Sequence, residues 1–549
     1  MAKPQNRNKE ALGIAVVALA AVFFIACHET DRPSGDDDNG TSASDEPDGS
    51  NASDSDQDTD FPGMAIPATC EDAVLNPTSV GCEFFMADLD NFDQADSETY
   101  AVVVSNPQND QEANVVVTAG IEGEIFTTTL APGQLQVIDV ACASGCLVPP
   151  HEIQIQGLAK AAGFRLTSDV PVLAYQWNNY GIGDLYSTDA SLLIPRTSLD
   201  GAYIVAAWGD GLDSDYRSTV TVVGIEDRTS MTFIPPVDVP QMGGVGPYTA
   251  GSETAPVTLD AFDVISLSPA TLDADLTGTV VKADKPVVVF GGHACALVPN
   301  KDYQACDHVE EQILPLAAWG TSAVLARHAP RTDCSAVRDM VVWRVIAGAD
   351  NMHVTFDPPA PSPADAEHHF TQQGEVLEFL APGDYYAEGV FESPEDPEKP
   401  GAPFLAYQMM MGASYANCYF NQYDREGDPM MLQAPPAGQF LDRYVFNTDN
   451  VFDFANDHII IVRPSGAKVA LDCKGVIPDS SFAPVGSSDW EVARIFIDNP
   501  ENTTGCTDGA HLLAATAPVG LSVVGTAAWI SYGYLGGVGL KPINPVVVK

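Results

Sequence analysis

Basic side chains are scarce in this chain: 25 Lys and Arg face 75 Asp and Glu, a formal charge of −50 over 549 residues. A field of that sign repels phosphate backbones, so it argues against nucleic acid and favours cations or basic partners. The short motifs of common catalysts are also missing. There is no GxSxG elbow, no HExxH and no phosphate-cradling GxxxxGK[ST]. No long stretch carries a 3.6-residue apolar period with helix caps, which leaves strands as the main element. The length allows two to four domains, and a 45% hydrophobic content is enough for a sizeable core.

The N-terminus reads as a secretory signal. Lys3, Arg7 and Lys9 precede an apolar run from Ala11 to Ala26, which is short for a membrane span, and Cys27 follows at once. A small residue before Cys27 resembles a bacterial lipobox, implying cleavage there and a lipid on the Cys27 sulfur. An ordinary signal peptide or a membrane anchor is the plainer alternative. Because the residue after Cys27 is not Asp, analogy with such lipoproteins favours the outer membrane, facing the surface or the periplasm. Residues 28–61 carry twelve acids, one Arg and almost nothing apolar before Phe61, the composition of a disordered tether. Asp54, Asp56, Asp58 and Asp60 alternate as in a calcium loop, but the glycine and closing Glu of that motif are misplaced. A solvated spacer is the simpler reading.

Eleven cysteines less a lipidated Cys27 leave ten, an even number suited to disulfides in an exported chain. Sequence leaves the connectivity open. Proximity suggests Cys70–Cys82, Cys142–Cys146 and Cys295–Cys306, with Cys334–Cys418 and Cys473–Cys506 as the longer pairs.

An internal repeat is visible. SDVPVLAYQ, ADKPVVVFG, PGAPFLAYQ and ATAPVGLSV place Pro171, Pro286, Pro403 and Pro518 at intervals of 115, 117 and 115 residues. Each proline is expected at the entry of a strand, where no ladder donor is needed. STVTVVGIEDRTSMTFIP (218–235) reads as a hairpin of two β-branched runs, and LAPG at 130–133 and 380–383 marks tight turns. Six or seven strands per repeat predict an all-β fold of four tandem β-sandwich-like units of about 115 residues. A propeller-like ring of the same repeats is the alternative closure. The expected units are about 98–201, 202–317, 318–440 and 441–540, after an entry segment at 62–97.

The run KPVVVFGGHACALVP…CDHVEEQILPLAAWG, together with SDVPVLAYQ…STDASLLIP and AWISYGYLGG, resembles the IgGFc-binding protein N-terminal domain family over roughly residues 98–540. That resemblance implies an extracellular binding or adhesion role without catalysis. It does not imply antibody as the partner.

Two clusters invite chemistry. His293, Cys295, Cys306 and His308 could be read as zinc ligands, but each His–Cys pair is separated by one residue, against the two to four usual for structural zinc. Thiols in an exported chain also oxidise, so a disulfide-stapled loop is preferred and no catalytic, cofactor or metal residue is assigned. Calcium at Asp210, Asp213 and Asp215 is weighed against a solvated turn, and the turn is preferred. YQWNNYGIGDLYSTD (175–189) gathers Tyr175, Trp177, Tyr180 and Tyr186 into a candidate contact loop, and YQMMMGASYANCYFNQYD (407–424) occupies the same place in the third unit. The expectation is a surface lipoprotein that binds an extracellular protein or glycan. A carbohydrate-active hydrolase and a structural envelope protein without a ligand are the alternatives. In cells fed labelled fatty acid, the wild-type chain should take up label and Cys27→Ser should not; label retained by the variant would refute the anchor.

Overall fold

The computed structural model describes residues 66–92, 98–180, 187–212, 216–332, 334–394, 401–419, 425–448, 456–498 and 505–549. Cys27, the acidic tether, Tyr186, Asp213 and Asp215 lie outside them. Residues 60–549 form one compact unit, and the expected all-β fold is what the chain adopts, in antiparallel sheets.

Three long strands organise the sheets: Phe164–Asn178, Val280–Ala296 and Ala510–Ala527. Each contains one of the spaced prolines in its interior, not at its entry as the sequence suggested. Pro171 falls between a ladder that ends at Ser168 and one that begins at Leu173. Pro286 and Pro518 occupy the same gaps in their strands. A residue with no N–H costs nothing where no ladder bond is made, so the strand can turn there from one sheet into the next. In the remaining instance the long strand is cut in two, Tyr385–Phe391 and Phe404–Met410, with Pro403 just before the second piece.

Burial changes at the same point. Before Pro171 the strand mixes buried with partly exposed residues, and from Pro171 to Asn178 every residue is buried; in Val280–Ala296 and Ala510–Ala527 the stretch up to the proline is likewise mixed and every residue after it is buried. The first half of each strand therefore belongs to an outer sheet with one wet face. The second half belongs to an inner sheet covered on both faces, which is why its sequence runs apolar without alternation.

The two halves take different partners. Ser218–Gly224 pairs with the inner half of Val280–Ala296, and Thr229–Ile234 pairs with its outer half. The hairpin expected over 218–235 is thus an arch between two sheets, because the long strand offers both runs a better edge than they offer each other. Gly81–Met86 pairs with the outer half of Phe164–Asn178, so part of the supposed entry segment belongs to the first sheet.

Four short strands close the inner sheets: Asp189–Leu192, Asp307–Gln312, Met431–Ala434 and Ile530–Leu535, buried at every position. They contact one another in a cycle, each touching the next and the last touching the first. Backbone bonds from Ser79 N–H to the Val538 carbonyl (2.9 Å) and from Leu540 N–H to the Pro77 carbonyl (3.0 Å) join the two ends of the compact unit.

One carboxylate reaches all four short strands. Asp189 Oδ1 accepts from Ala190 N–H (2.9 Å) and Gly533 N–H (3.2 Å), and Oδ2 accepts from Met431 N–H (3.1 Å) and Glu310 N–H (3.3 Å). Around it, Gln176 donates to both oxygens of Glu310 and Gln433 donates twice to Glu311. Burial pushes Glu310 up to about 8 and Asp428 up to about 7, and it raises Asp307 and Glu311 as well.

Such a carboxyl keeps a proton in the fold that the unfolded chain has already released near pH 4, so the stability it contributes is lost as pH rises through its folded pKa. Buried His293, His308 and His458, pushed down to about 3, act oppositely and only below their unfolded value of about 6.5. Between about pH 6.5 and 8.5 the buried acids titrate differently in the two states, and so does exposed His369, whose pKa the Glu392 hydrogen bond raises; both lose stability as pH rises. The melting temperature should fall across that window, and Glu310→Gln should flatten the fall. A wild-type melting temperature that is level or rising there would contradict this assignment.

Candidate functional site: a stapled loop face

The loops that follow the inner half of each long strand lie against one another. Gly412 N–H donates to the Val298 carbonyl (2.9 Å), Gly427 N–H to Ala527 (2.8 Å) and Trp529 N–H to Arg425 (2.9 Å). Thr188 N–H donates to Asp307 Oδ1 at 2.6 Å and His308 N–H to Ser187 Oγ at 3.0 Å. Two disulfides hold this face: Cys295–Cys306 closes one loop, and Cys334–Cys418 ties the 326–340 segment to the 411–419 loop. Cys70–Cys82, Cys142–Cys146 and Cys473–Cys506 are joined elsewhere, the same five pairs that proximity suggested.

The sequence cluster GGHACALVPNKDYQACDHVEEQ takes apart into structural roles. A Cβ on Gly291 would sit 1.9 Å from the Ala206 carbonyl oxygen and one on Gly292 2.0 Å from that of Val309, so only glycine permits the strand contacts there. The two sulfurs are bonded to each other and offer no thiolate. His293 Nδ1 accepts from Cys295 N–H (2.9 Å), and His308 lies 3.4 Å from Glu310. Both imidazoles are held neutral by burial, and Asp307, Glu310 and Glu311 join the central carboxylate network.

The aromatic contact loop is corrected. Tyr175, Trp177 and Tyr180 are 0, 2 and 5% exposed. Tyr175 packs on Tyr534 at 4.5 Å between centroids, while Trp177 meets Tyr532 at 4.6 Å and Tyr180 at 5.3 Å. The space left beside them is about 10 Å³, room for one water at most. These rings fill the seam where the first and last inner sheets meet, so they offer no surface to a partner.

Accessible aromatics occur instead in the described part of the sister stretch, residues 407–419. Tyr419 is 38% exposed and Val337, across the disulfide-tied segment, 71%. Half-buried Tyr415 meets Tyr303 edge-on at 4.8 Å, and Arg425 lies 5.4 Å over the Trp529 ring. Exposed Arg338 binds the ends of this loop through the carbonyls of Ala416 (3.1 Å) and Asn417. Aromatic and arginine groups of this kind supply most contact energy in protein interfaces.

Behind this patch is a polar cavity of about 110 Å³ lined by Arg331, Thr332, Glu426, Asn456, His458 and Thr526, among others. Its groups are committed to the framework. Glu426 accepts from Thr332 N–H (2.6 Å), Asn456 Nδ2 (2.7 Å) and Thr526 Oγ1 (2.8 Å). His458 Nε2 accepts from Ala329 N–H (3.0 Å), leaving its proton on Nδ1. Arg331 forks onto Asp339 Oδ1 at 3.1 and 2.6 Å and also reaches the Glu426 carbonyl at 3.1 Å. Although burial opposes it, the Arg331 charge holds Asp339 well below the usual carboxylate range. The arrangement can hold water or a small polar group and set the loops rigidly. Sequence reading missed Arg331 and Asp339. An arginine between prolines and cysteines, in so Arg-poor a chain, was the available signal.

Asp210, the described member of the suggested calcium turn, is spoken for by the fold: its carbonyl accepts from Leu297 N–H (2.9 Å), and burial raises its carboxyl pKa. Asp213 and Asp215 lie outside the described residues.

Fold and site together define an all-β, disulfide-stapled protein with a patch suited to contact. The family model for the IgGFc binding protein matches residues 189–525, and the chain belongs to that family. The human IgGFc-binding protein is 24% identical over 249 residues, which cover 44% of this chain and 4% of that protein. The chain therefore corresponds to a small part of that relative. Among solved structures, the BSP domain of a biofilm associated protein gives a TM-score of 0.15 at 8% identity, over 85% of this chain and 97% of that one. A marsupial T cell receptor gives 0.08 at 7% identity, over 60% and 96%. Likenesses at those TM-scores carry no argument about the fold.

Arg331→Ala should lower stability by about 3–5 kcal/mol, since it leaves buried Asp339 with only a backbone N–H and the more distant Arg327 at 3.9 Å. Arg331→Lys should recover only part of this, lacking the planar fork. Denaturant midpoints of both variants test the point, and an unchanged midpoint in Arg331→Ala would refute the role.

Proposed function

We propose that this chain is an extracellular, non-catalytic binding protein that engages another protein through its loop face. The observation that carries the reading is the accessible group of Tyr419, Val337, Tyr415 and Arg338 on loops fastened by Cys334–Cys418. Membership of a family named for binding supports it. A lipid on Cys27 would anchor the chain to the outer membrane, with residues 28–61 as an acidic spacer and the four β units displayed beyond it. The strongly negative charge suits a partner with a basic surface. Glycan recognition and adhesion to a matrix are finer forms of the same role. The hydrolase alternative has less support, since the mutually interacting carboxyls Asp189, Glu310 and Glu311 are enclosed in the core.

The test is capture of extracellular matrix proteins, immunoglobulin Fc and arrayed glycans by the immobilised chain. A protein partner is expected, and its affinity should fall roughly 10- to 30-fold in a Tyr419→Ala, Val337→Asp variant. A partner held equally well by that variant would overturn the assignment of the face. Turnover of a polysaccharide would overturn the non-catalytic reading.

A further inference from the structure

Away from the loop face, the outer sheet of the third unit carries a cluster that the binding role does not use. Met352–Asp357 and Glu367–Phe370 are antiparallel neighbours in which His353 stands directly opposite His369. Met352, Val354 and Phe356 point into the core, so alternation turns His353 outward, and buried Phe370 turns its neighbour His369 outward too. The ring centroids are 5.3 Å apart. Glu392, the residue after the strand Tyr385–Phe391, brings one oxygen to both rings: Oε1 is 3.3 Å from His353 Nδ1 and 2.5 Å from His369 Nδ1. A second carboxylate, Glu367 Oε1, is 2.6 Å from His369 Nε2.

We propose that His353 Nδ1, His369 Nδ1 and a Glu392 carboxylate oxygen bind a divalent transition-metal ion of the zinc class, with water completing its shell. Two imidazoles and one carboxylate are a donor set zinc favours, and three protein ligands leave a position open. The three ligand atoms all lie within 4.8 Å of one another, a spacing that small side-chain rotations convert to coordination. Glu367 supplies the outer-shell partner that ligating histidines require: it accepts the Nε2 proton of His369 and so fixes the tautomer that presents Nδ1 to the metal. His353 is mostly buried, with 19% of its side chain exposed, whereas His369 at 59% and Glu392 at 39% are open to an incoming ion. Exposed Glu388 on the neighbouring strand adds negative charge nearby. A second triad, Asp472, Cys473 and His511, lacks this capacity because the Cys473 sulfur is bonded to Cys506.

Titration calorimetry of the full chain with zinc chloride tests the site, with Co²⁺ absorption as a second readout. Wild type should show a site that His353→Ala or His369→Ala weakens by at least the roughly 10–100-fold that even outer-shell substitutions cost. His511→Ala should leave it intact, and Glu367→Gln should weaken it without changing stoichiometry. Both substituted histidines stand on the outward face of an outer sheet and leave its buried positions untouched, so circular dichroism should be unchanged. Zinc should raise the melting temperature of wild type and not of the His353→Ala, His369→Ala double variant. Zinc affinity and stoichiometry in that double variant equal to those of wild type would overturn the proposal, as would a wild-type chain that binds no zinc.

Discussion

The structure depends on what happens around one buried carboxylate. Asp189 takes backbone N–H groups from four strands drawn from opposite ends of the sequence, Ala190, Glu310, Met431 and Gly533. Apolar packing has no direction and would tolerate sliding of one inner sheet against another. Hydrogen bonds to a single acceptor do not, because each would be lost by a shift of an ångström, and a buried N–H left without a partner is expensive. The inner strands can be apolar and short because their register is set by polar contacts at the centre. Glu310 with Gln176 and Glu311 with Gln433 repeat the device further out.

The second constraint is the proline in mid-strand. Placing Pro171, Pro286 or Pro518 in the gap between two ladders lets one strand serve two sheets, and it divides the chain into a wet outer half and a dry inner half. That division places the two proposed sites as well. Inner halves run toward the loops that touch one another, where Cys334–Cys418 and the Arg331–Asp339 fork hold the accessible aromatics. Outer halves build the wet sheets, one of which turns His353 and His369 toward solvent.

Much of this was legible. The proline spacing, the β-branched runs and the even cysteine count all mark recurring strands in an oxidised chain, and they do so because period, branching and spacing are local properties. Tyr175 and Trp177 were misread for the opposite reason. A tyrosine or tryptophan among polar residues looks alike whether it caps a loop or fills a seam, and only the partners decide. Here those partners are Tyr532 and Tyr534, more than 350 residues away in sequence. The hairpin over 218–235 failed similarly, since its two runs found a third strand, Val280–Ala296, to pair with.

By itself the sequence determined the all-β class and the family, and it suggested the pairing of neighbouring cysteines, because each depends on residues close together or on a pattern carried along the chain. Tertiary structure alone decided which acids are enclosed and which aromatics are exposed. It also decided that His353, His369 and Glu392 share one patch of sheet. Burial and mutual distance belong to strands that meet only when the chain has closed on itself, and no local pattern records which strands those are.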